Sequence, residues 1–416
     1  MKTNFVKLRW LFTMLLFVTT MIMPTMMLAK SIDLKIPEGD GAGTPYKIGT
    51  AEELYWFAGL VNGTLPGVKK DLSANAILTD DIIVNTGVLD PNKDLVSGND
   101  FIEWIPIGKS SSDDDAYTGT FDGNGHTISG LYFNKSNSWY VGLFGCIGAE
   151  GKISNVGVSD SYFQSSNCPY IGGVCGSNSG ELQNCSNSST VIGKENEYRI
   201  GGVCGYNSGT VKDCKNTGSV RGKETIGGVC GYNERRYNEK GGIIENSFNE
   251  GTVSGTGDYD VLNIGGVCGY NYGGTIKSCY NTASVSGQYS VGGVCGDNYE
   301  GPITNCYYLS GTVADGKGGI GGKDDENGKA VEMSKDRFKS GEVAWLLNGS
   351  KSVSTEESTL AWYQKLGENA DAYPVLTSTG DNTVYGGYQH GSRVRFFSNT
   401  VQHSTGECKL NCVKLQ

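Results

Sequence analysis

From Val141 to Gly316 the apolar residues fall in short runs, mostly β-branched or aliphatic, broken every few positions by glycine, asparagine or serine. No apolar spacing of 3.6 residues lasts long enough for a pair of helices, and so much glycine is costly in a helix interior. The pattern predicts short β-strands joined by tight corners, with glycine at the corners where φ is positive or backbones pass closely.

One phrase recurs through this region. It reads VGLFG at Val141–Gly145, then IGGVCG or VGGVCG ending at Gly176, Gly205, Gly231, Gly269 and Gly296. A second phrase keeps step with it, as in Gly180/Leu182/Cys185, Gly209/Val211/Cys214, Gly242/Ile244/Ser247, Gly274/Ile276/Cys279 and Gly301/Ile303/Cys306. Asn187, Asn216, Asn249 and Asn281 follow two residues later, and Val191, Val220, Val253 and Val285 follow four residues after those. A fixed period of this size marks stacked units, each touching only its neighbours. The longest unit carries polar surplus at 234–240 and 256–263, as loops bulging from a solenoid would.

The expected fold is therefore all-β: a right-handed parallel β-helix, or β-solenoid, of stacked coils of about 26–31 residues with short capping helices. Equivalent side chains in such a stack form ladders, and asparagines at rung spacing can hydrogen-bond along the column. Asn178, Asn207, Asn233, Asn271 and Asn298 are read as such a structural ladder, and Cys175, Cys204, Cys230, Cys268 and Cys295 as a second one.

Solenoid ends need covers. Thr50-Ala-Glu-Glu53 is a capping box before Leu54, Trp56, Phe57 and Leu60, predicting a helix that lids the first coil. An amphipathic helix over about 334–348, with Phe338, Val343, Trp345, Leu346 and Leu347 as its apolar set and Gly349 closing it, is the other expected cap. Between them and the repeats, 315–328 is rich in Gly, Lys and Asp; its GxGxxG at Gly316–Gly321 lacks a strand-turn-helix frame and reads as a flexible linker.

The GGVCG and VGLFG phrases, with the trailing NCxNxGxV pattern, resemble the GLUG-motif repeats of bacterial secreted and surface proteins. The resemblance extends upstream through Tyr46-Lys-Ile-Gly-Thr-Ala-Glu-Glu-Leu54, Ile82-Ile-Val84, Trp104-Ile-Pro-Ile-Gly108 and Phe121-Asp-Gly-Asn-Gly-His-Thr-Ile-Ser-Gly-Leu131. Downstream it takes in Ser340-Gly-Glu-Val-Ala-Trp345, Trp362-Tyr-Gln364 and Tyr373-Pro-Val375, so that it covers about 46–388. It implies a large cell-surface or secreted protein without a defined chemistry. Similar repeats accompany some immunoglobulin-cleaving metallopeptidases, so one alternative is a non-catalytic repeat part of a larger surface peptidase. Here Cys stands where Val is common in the phrase, which alters the rung interior and not the fold.

Lys2, Lys7 and Arg9 precede an uncharged stretch from Trp10 to Ala29, which reads as a cleaved secretory signal and the chain's expected link to a membrane. Without those three residues 31 basic side chains face 44 acidic ones, a net charge near −13. Nucleic acid is excluded as a partner, because no basic stripe exists to displace phosphate counterions. The resulting plan has a signal peptide at 1–29, an N-terminal cap and first coils at 30–140, the repeat solenoid at 141–314 and a Gly-rich linker at 315–330. A C-terminal capping module at 331–390 and an unmatched tail at 391–416 complete it; the tail departs from everything before it, as a truncated or altered end would.

Thirteen cysteines in an exported chain raise the question of disulfides. Four rungs pair Cys175/Cys185, Cys204/Cys214, Cys268/Cys279 and Cys295/Cys306, but Cys230 faces a rung with Ser247, and the first rung has Phe144 and Val156. Those substitutions favour stacked, reduced cysteines acting as small apolar fillers, with bridges within rungs as the alternative. The wide spacing and the lack of histidine in the repeats argue against zinc, and Cys408/Cys412 is a lone CxxxC.

No metal or other cofactor and no catalytic residue is expected. HExxH is missing, and His126 lies in the turn after Asp122-Gly-Asn-Gly125 without a partnered nucleophile. The acidic run Asp113-Asp-Asp115 reads as a solvated loop rather than a calcium site. A polysaccharide lyase or hydrolase is the catalytic rival, on fold analogy. The favoured reading is an exported, non-catalytic surface or secreted protein, an adhesin for glycans or for host or matrix proteins. Its candidate ligand-binding residues are Tyr206, Tyr232 and Tyr270, which share one repeat position and would line up as a stripe; rings that merely stabilise each other are the plainer alternative.

Overall fold

The computed structural model describes residues 32–398 apart from 98–99, 111, 113, 168, 195–198, 237–240, 257–262, 322–328, 351–359, 368, 377–383 and 391–392, with backbone alone for 385–390 and 393–398. The signal segment, Cys168, Asp113 and the tail beyond 398 lie outside the described residues.

The repeats form a parallel β-solenoid. One turn comprises the strands Thr210–Lys212, Lys215–Asn216, Ser219–Gly222, Thr225–Gly227 and Cys230–Glu234, which define a first to a fifth face. Each strand pairs in parallel with its equivalent one turn on, as in Val211↔Ile244, Asn216↔Asn249, Val220↔Val253, Ile226↔Ile264 and Cys230↔Cys268. The first and second faces have nine strands each and the other three have six. Among the described residues, then, six turns complete all five faces.

The apolar repeat positions fill the interior as columns. Phe121, Ile153, Leu182, Val211, Ile244, Ile276 and Ile303 descend the first face in register, and Phe133, Phe163, Val191, Val220, Val253 and Val285 descend the third. Nearly all of these side chains are inaccessible to solvent, so each contributes about 1.5–3 kcal/mol of hydrophobic stabilisation. A one-residue slip would move a whole column outside, and this fixes the register.

Glycines do not make the recurrent left-handed corner. That corner falls on Asn155, Asn184, Asp213, Asn246, Ser278 and Asn305, with φ between 48° and 54°. Asn and Asp tolerate this conformation better than other side-chain-bearing residues because their short polar groups bond locally. Asn184 Nδ2 donates to Asn155 Oδ1 at 2.8 Å, and Asn246 Nδ2 to Asp213 Oδ1 at 3.1 Å. Most repeat glycines have ordinary φ and serve close packing instead.

Helix α1, Ala51–Asn62, covers the first turn, with Phe57 at 6.1 Å from Tyr117 and 6.0 Å from Phe121, ring centre to ring centre. The Thr50 hydroxyl accepts from Glu53 N at 3.3 Å, while the Glu53 carboxylate reaches back one residue further, to Gly49 N at 2.9 Å.

The other end departs from expectation in four ways. The single helix expected over 334–348 is two, α2 (Lys335–Lys339) and α3 (Glu342–Leu347), because Gly341 between them takes φ 84°. Its apolar residues are not directed at an end lid. Phe338, Val343, Leu347 and Trp362 pack on Phe248, Tyr280 and Tyr307, which occupy successive outward positions of the second face. The expected linker is partly structured: Gly293 N and Val294 N donate to Gly318 O and Gly319 O, and Ala330–Met333 adds the ninth strand of the second face. Further on, Val384–His390 pairs with Arg393–Ser398 as an antiparallel hairpin, so a boundary at 390 falls inside one element.

Candidate functional site

Tyr206, Tyr232 and Tyr270 occupy one outward column of the fifth face, preceded by Ser177 and followed by Asp297. Strand register brings Tyr206 and Tyr232 to 5.8 Å and nearly parallel, and Tyr232 and Tyr270 to 5.2 Å edge to face. The file is longer than the three repeat positions. Tyr140 stacks on Tyr170 at 5.1 Å, Tyr170 meets Tyr206 at 5.5 Å, and Tyr270 lies 6.2 Å from Tyr272.

The middle of the file is not open. The Arg199 guanidinium lies over three rings, 4.4 Å from Tyr232, 5.1 Å from Tyr170 and 5.5 Å from Tyr206, an arrangement favoured by the electron-rich ring faces. The Tyr206 hydroxyl donates to the Glu234 carboxylate, and Arg236 sits 5.8 Å above the same ring. Tyr206 is consequently 7% exposed. Burial, followed by the neighbouring Glu234 carboxylate, pushes its hydroxyl up to about 12; burial and then Glu234 do the same for Tyr232. The solvent-exposed part of the file lies at its end. Tyr272 and Tyr299, two residues beyond the nominated column, stack at 5.1 Å and 9° and are 40% and 49% exposed. Their shared register with Glu234 was the available sequence signal.

The nominated asparagines form one continuous ladder. Asn178, Asn207, Asn233 and Asn271 each donate to the next amide oxygen at 2.8, 2.8, 2.8 and 2.7 Å, ending at Asn298. A second interior ladder runs Asn187, Asn216, Asn249, Asn281 at 2.8 Å per step. Asn178, Asn207, Asn233 and Asn271 are fully buried and have their hydrogen bonds supplied within the stack, so their role is structural.

Cys175, Cys204, Cys230, Cys268 and Cys295 form one in-register column beneath Phe144. The ten described cysteines are free and buried. They are more than fillers: in this column each thiol donates to the carbonyl two residues ahead, at 3.0–3.4 Å. In the second column Cys185, Cys214, Cys279 and Cys306 donate to the carbonyl two residues behind, and Ser247 does the same at 2.9 Å. Burial pushes the thiols of Cys175, Cys204, Cys214, Cys268 and Cys279 well up, against thiolate formation.

His126 Nδ1 lies 3.4 Å from the Asp81 carboxylate. Asp115 pairs with Lys70 at 2.5 Å, whose ammonium also meets the Asp114 carbonyl. Among the described residues no three His, Cys, Asp or Glu side chains are grouped to hold a metal, and no helix is long and apolar enough to cross a membrane.

Comparison with known proteins identifies the repeat. The GLUG motif matches residues 196–221 and 260–286. Halomucin of Haloquadratum walsbyi is 38% identical over 84 residues, 20% of this chain and 1% of Halomucin. A provisionally named Gly-rich membrane protein of Evansella cellulosilytica is 33% identical over 78 residues, 18% of this chain and 9% of that protein. This chain thus spans a small fraction of both relatives. Among solved structures, a provisionally named immunoglobulin A1 protease of Bacteroides ovatus superposes with a TM-score of 0.52 at 21% identity, covering 82% of this chain and 97% of that one. That likeness concerns the fold.

Proposed function

We propose that this chain, a β-solenoid built from GLUG repeats, is a non-catalytic cell-surface or secreted protein that binds glycans or host and matrix proteins. The likeness to Halomucin and to a membrane protein supports a place at the cell surface. The binding reading rests on one observation above others: a file of stacked tyrosines along one flank ends in the exposed parallel pair Tyr272 and Tyr299. Flat ring faces with hydroxyl tips bury apolar area and still offer a hydrogen bond, which suits sugar rings and protein surfaces alike. Arg199 and Glu234 hold the covered rings in place and act as the rigid support such a platform needs.

A glycan array and immobilised matrix proteins test the reading. Tyr272→Ala/Tyr299→Ala should abolish whatever binding the full chain shows, whereas Tyr206→Phe should retain it. Unchanged binding in the double variant, or none in the parent, would remove the proposal. Turnover of a polysaccharide panel would establish the lyase or hydrolase alternative instead.

A further inference from the structure

A cleft of about 250 Å³ opens on the second face, where the C-terminal module ends against the solenoid flank. Its position follows from one outward column. Reading along the stack, that column is Thr127, Gly157, Ser186, Lys215, Phe248, Tyr280 and Tyr307. The three aromatics lie beneath the module, and the Tyr280 hydroxyl donates to Pro374 O at 2.8 Å. Val375 and Leu376 then form the near wall, and the column beyond changes to small and polar residues.

Gly157 distinguishes this place from the rest of the fold. A Cβ on most repeat glycines would strike backbone within 3 Å, but on Gly157 its nearest neighbours are side-chain atoms, the Thr127 Oγ1 at 2.9 Å, the Ser186 Oγ at 3.2 Å and the Thr127 Cγ2 at 3.5 Å. Its φ is not positive either. Backbone conformation does not call for glycine at this position and only side chains crowd it, and a glycine inside a strand marks a bulge, a bend or a place where a ligand or another backbone comes close.

The opposite wall is the corner column Asn155, Asn184 and Asp213. Asn184 donates to Asn155, which leaves the Asn184 Oδ1 facing outward without a partner among the described residues. The Ser186 and Thr127 hydroxyls and the Lys215 ammonium also line the cleft, the ammonium close enough to Glu250 to favour that carboxylate's charge. Two hydroxyls, two amides, one ammonium and one carboxylate thus surround a floor that includes Val156. A mixed ring of donors and acceptors over a small apolar floor complements a pyranose, with polar rim and apolar face, better than it does a charged peptide or a phosphate.

We infer that the cleft between the Asn155–Asp213 corner and Val375–Leu376 is a saccharide subsite holding about one sugar ring, given its modest size. It rests on the binding reading but is a separate place from the tyrosine pair. Equivalent polar groups recur at rung spacing, so a longer glycan would run along the stack axis from this subsite.

The test is titration of the full chain with methyl glycosides of hexoses, N-acetylhexosamines and hexuronic acids and their short oligomers, read by saturation-transfer NMR and calorimetry. At least one class should bind saturably. Gly157→Phe, which fills the cleft, should abolish that binding. Asn184→Ala/Lys215→Gln, both at the surface, should weaken it about tenfold or more, as loss of two hydrogen-bonding groups predicts. Tyr272→Ala/Tyr299→Ala should leave it intact. If Gly157→Phe does not fold, the surface pair decides alone. Binding that survives the cleft variants, or is lost only with the tyrosines, overturns the subsite while leaving the surface-binding reading in place. Silence across the panel overturns the subsite as well.

Discussion

Gly202 faces Asn216 across the solenoid interior: a Cβ on Gly202 would stand 2.3 Å from the Asn216 Cγ and 2.2 Å from the Gly228 carbonyl oxygen. The relation repeats for Gly173 with Asn187, Gly228 with Asn249 and Gly266 with Asn281, and closes with Gly293 against the Tyr308 ring. Ile82, Ile128 and Val158 hold that position in the turns before the ladder, and the phrase VGLFG has one glycine before Leu143 where the others have two before Val. The second glycine of the doubled pair thus makes room for the planar side chain in the ladder column, an amide in four turns and the Tyr308 ring in the last.

Gly202→Ala is expected to destabilise by about 3 kcal/mol, the upper range for overpacking, because the obstructing atoms include backbone that cannot rotate away. Urea unfolding measures it. A loss below about 1 kcal/mol would mean that the turn relaxes more freely than close packing allows.

Asn207→Ala removes both an acceptor for Asn178 and a donor to Asn233 in a fully buried ladder. Stranding those two groups should cost about 2–4 kcal/mol, at 1–3 kcal/mol for each unsatisfied group less partial relaxation. Asn298→Ala, at the end of the column, strands only Asn271 and should cost roughly half as much. Equal losses at both sites would argue that the ladder does not act as a chain.

Ser247→Cys completes the second thiol column. The Ser247 hydroxyl donates to Glu245 O at 2.9 Å, as the Cys279 thiol does to Lys277 O at 3.2 Å, so stability should change by less than about 1 kcal/mol. In the same protein an aromatic disulfide reagent should modify none of the ten described cysteines until denaturant is added, since all ten are buried. Rapid native-state labelling of Cys204, located by peptide mapping, would contradict the packing.

Tyr206, Tyr232 and Tyr307 each have hydroxyls pushed up by burial to about 12, against 10 for the unburied group. The folded state holds these protons longer than the unfolded chain does. Their contribution is complete below pH 10 and is lost as pH rises from 10 through about 12. Denaturation midpoints should fall across that window together with the growth of phenolate absorbance. Tyr206→Phe should make the fall shallower; an identical slope would assign the alkaline loss to other groups.

The solenoid was legible because every turn repeats one register, so Val191, Val220, Val253 and Val285 announce a column before any coordinate is known. What escaped sequence reading depends on residues that the repeat does not share. Arg199 replaces Tyr170 and Thr225 at its position, Glu234 stands where the next two turns have Tyr272 and Tyr299, and Arg236 lies in an insertion, yet these three cover Tyr206. The left-handed corner alternates among Asn, Asp and Ser, which hides it among other polar residues, and glycine was the more obvious candidate for positive φ. The docking of the C-terminal module is written in the change from Lys215 to Phe248, Tyr280 and Tyr307. A single column of outward residues, however, does not say which distant segment will cover it.

Trp362 touches both Phe248 and Tyr280, at 5.8 and 5.2 Å, and Phe338 reaches Tyr280 at 5.8 Å. A stack of near-independent storeys ordinarily frays one storey at a time from its free end. Here a side brace ties neighbouring storeys to one another, and peeling the last one first means tearing the brace away from all of them. Unwinding from this end thus becomes a single concerted event, and the chain resists it as a block rather than as a series of weak links.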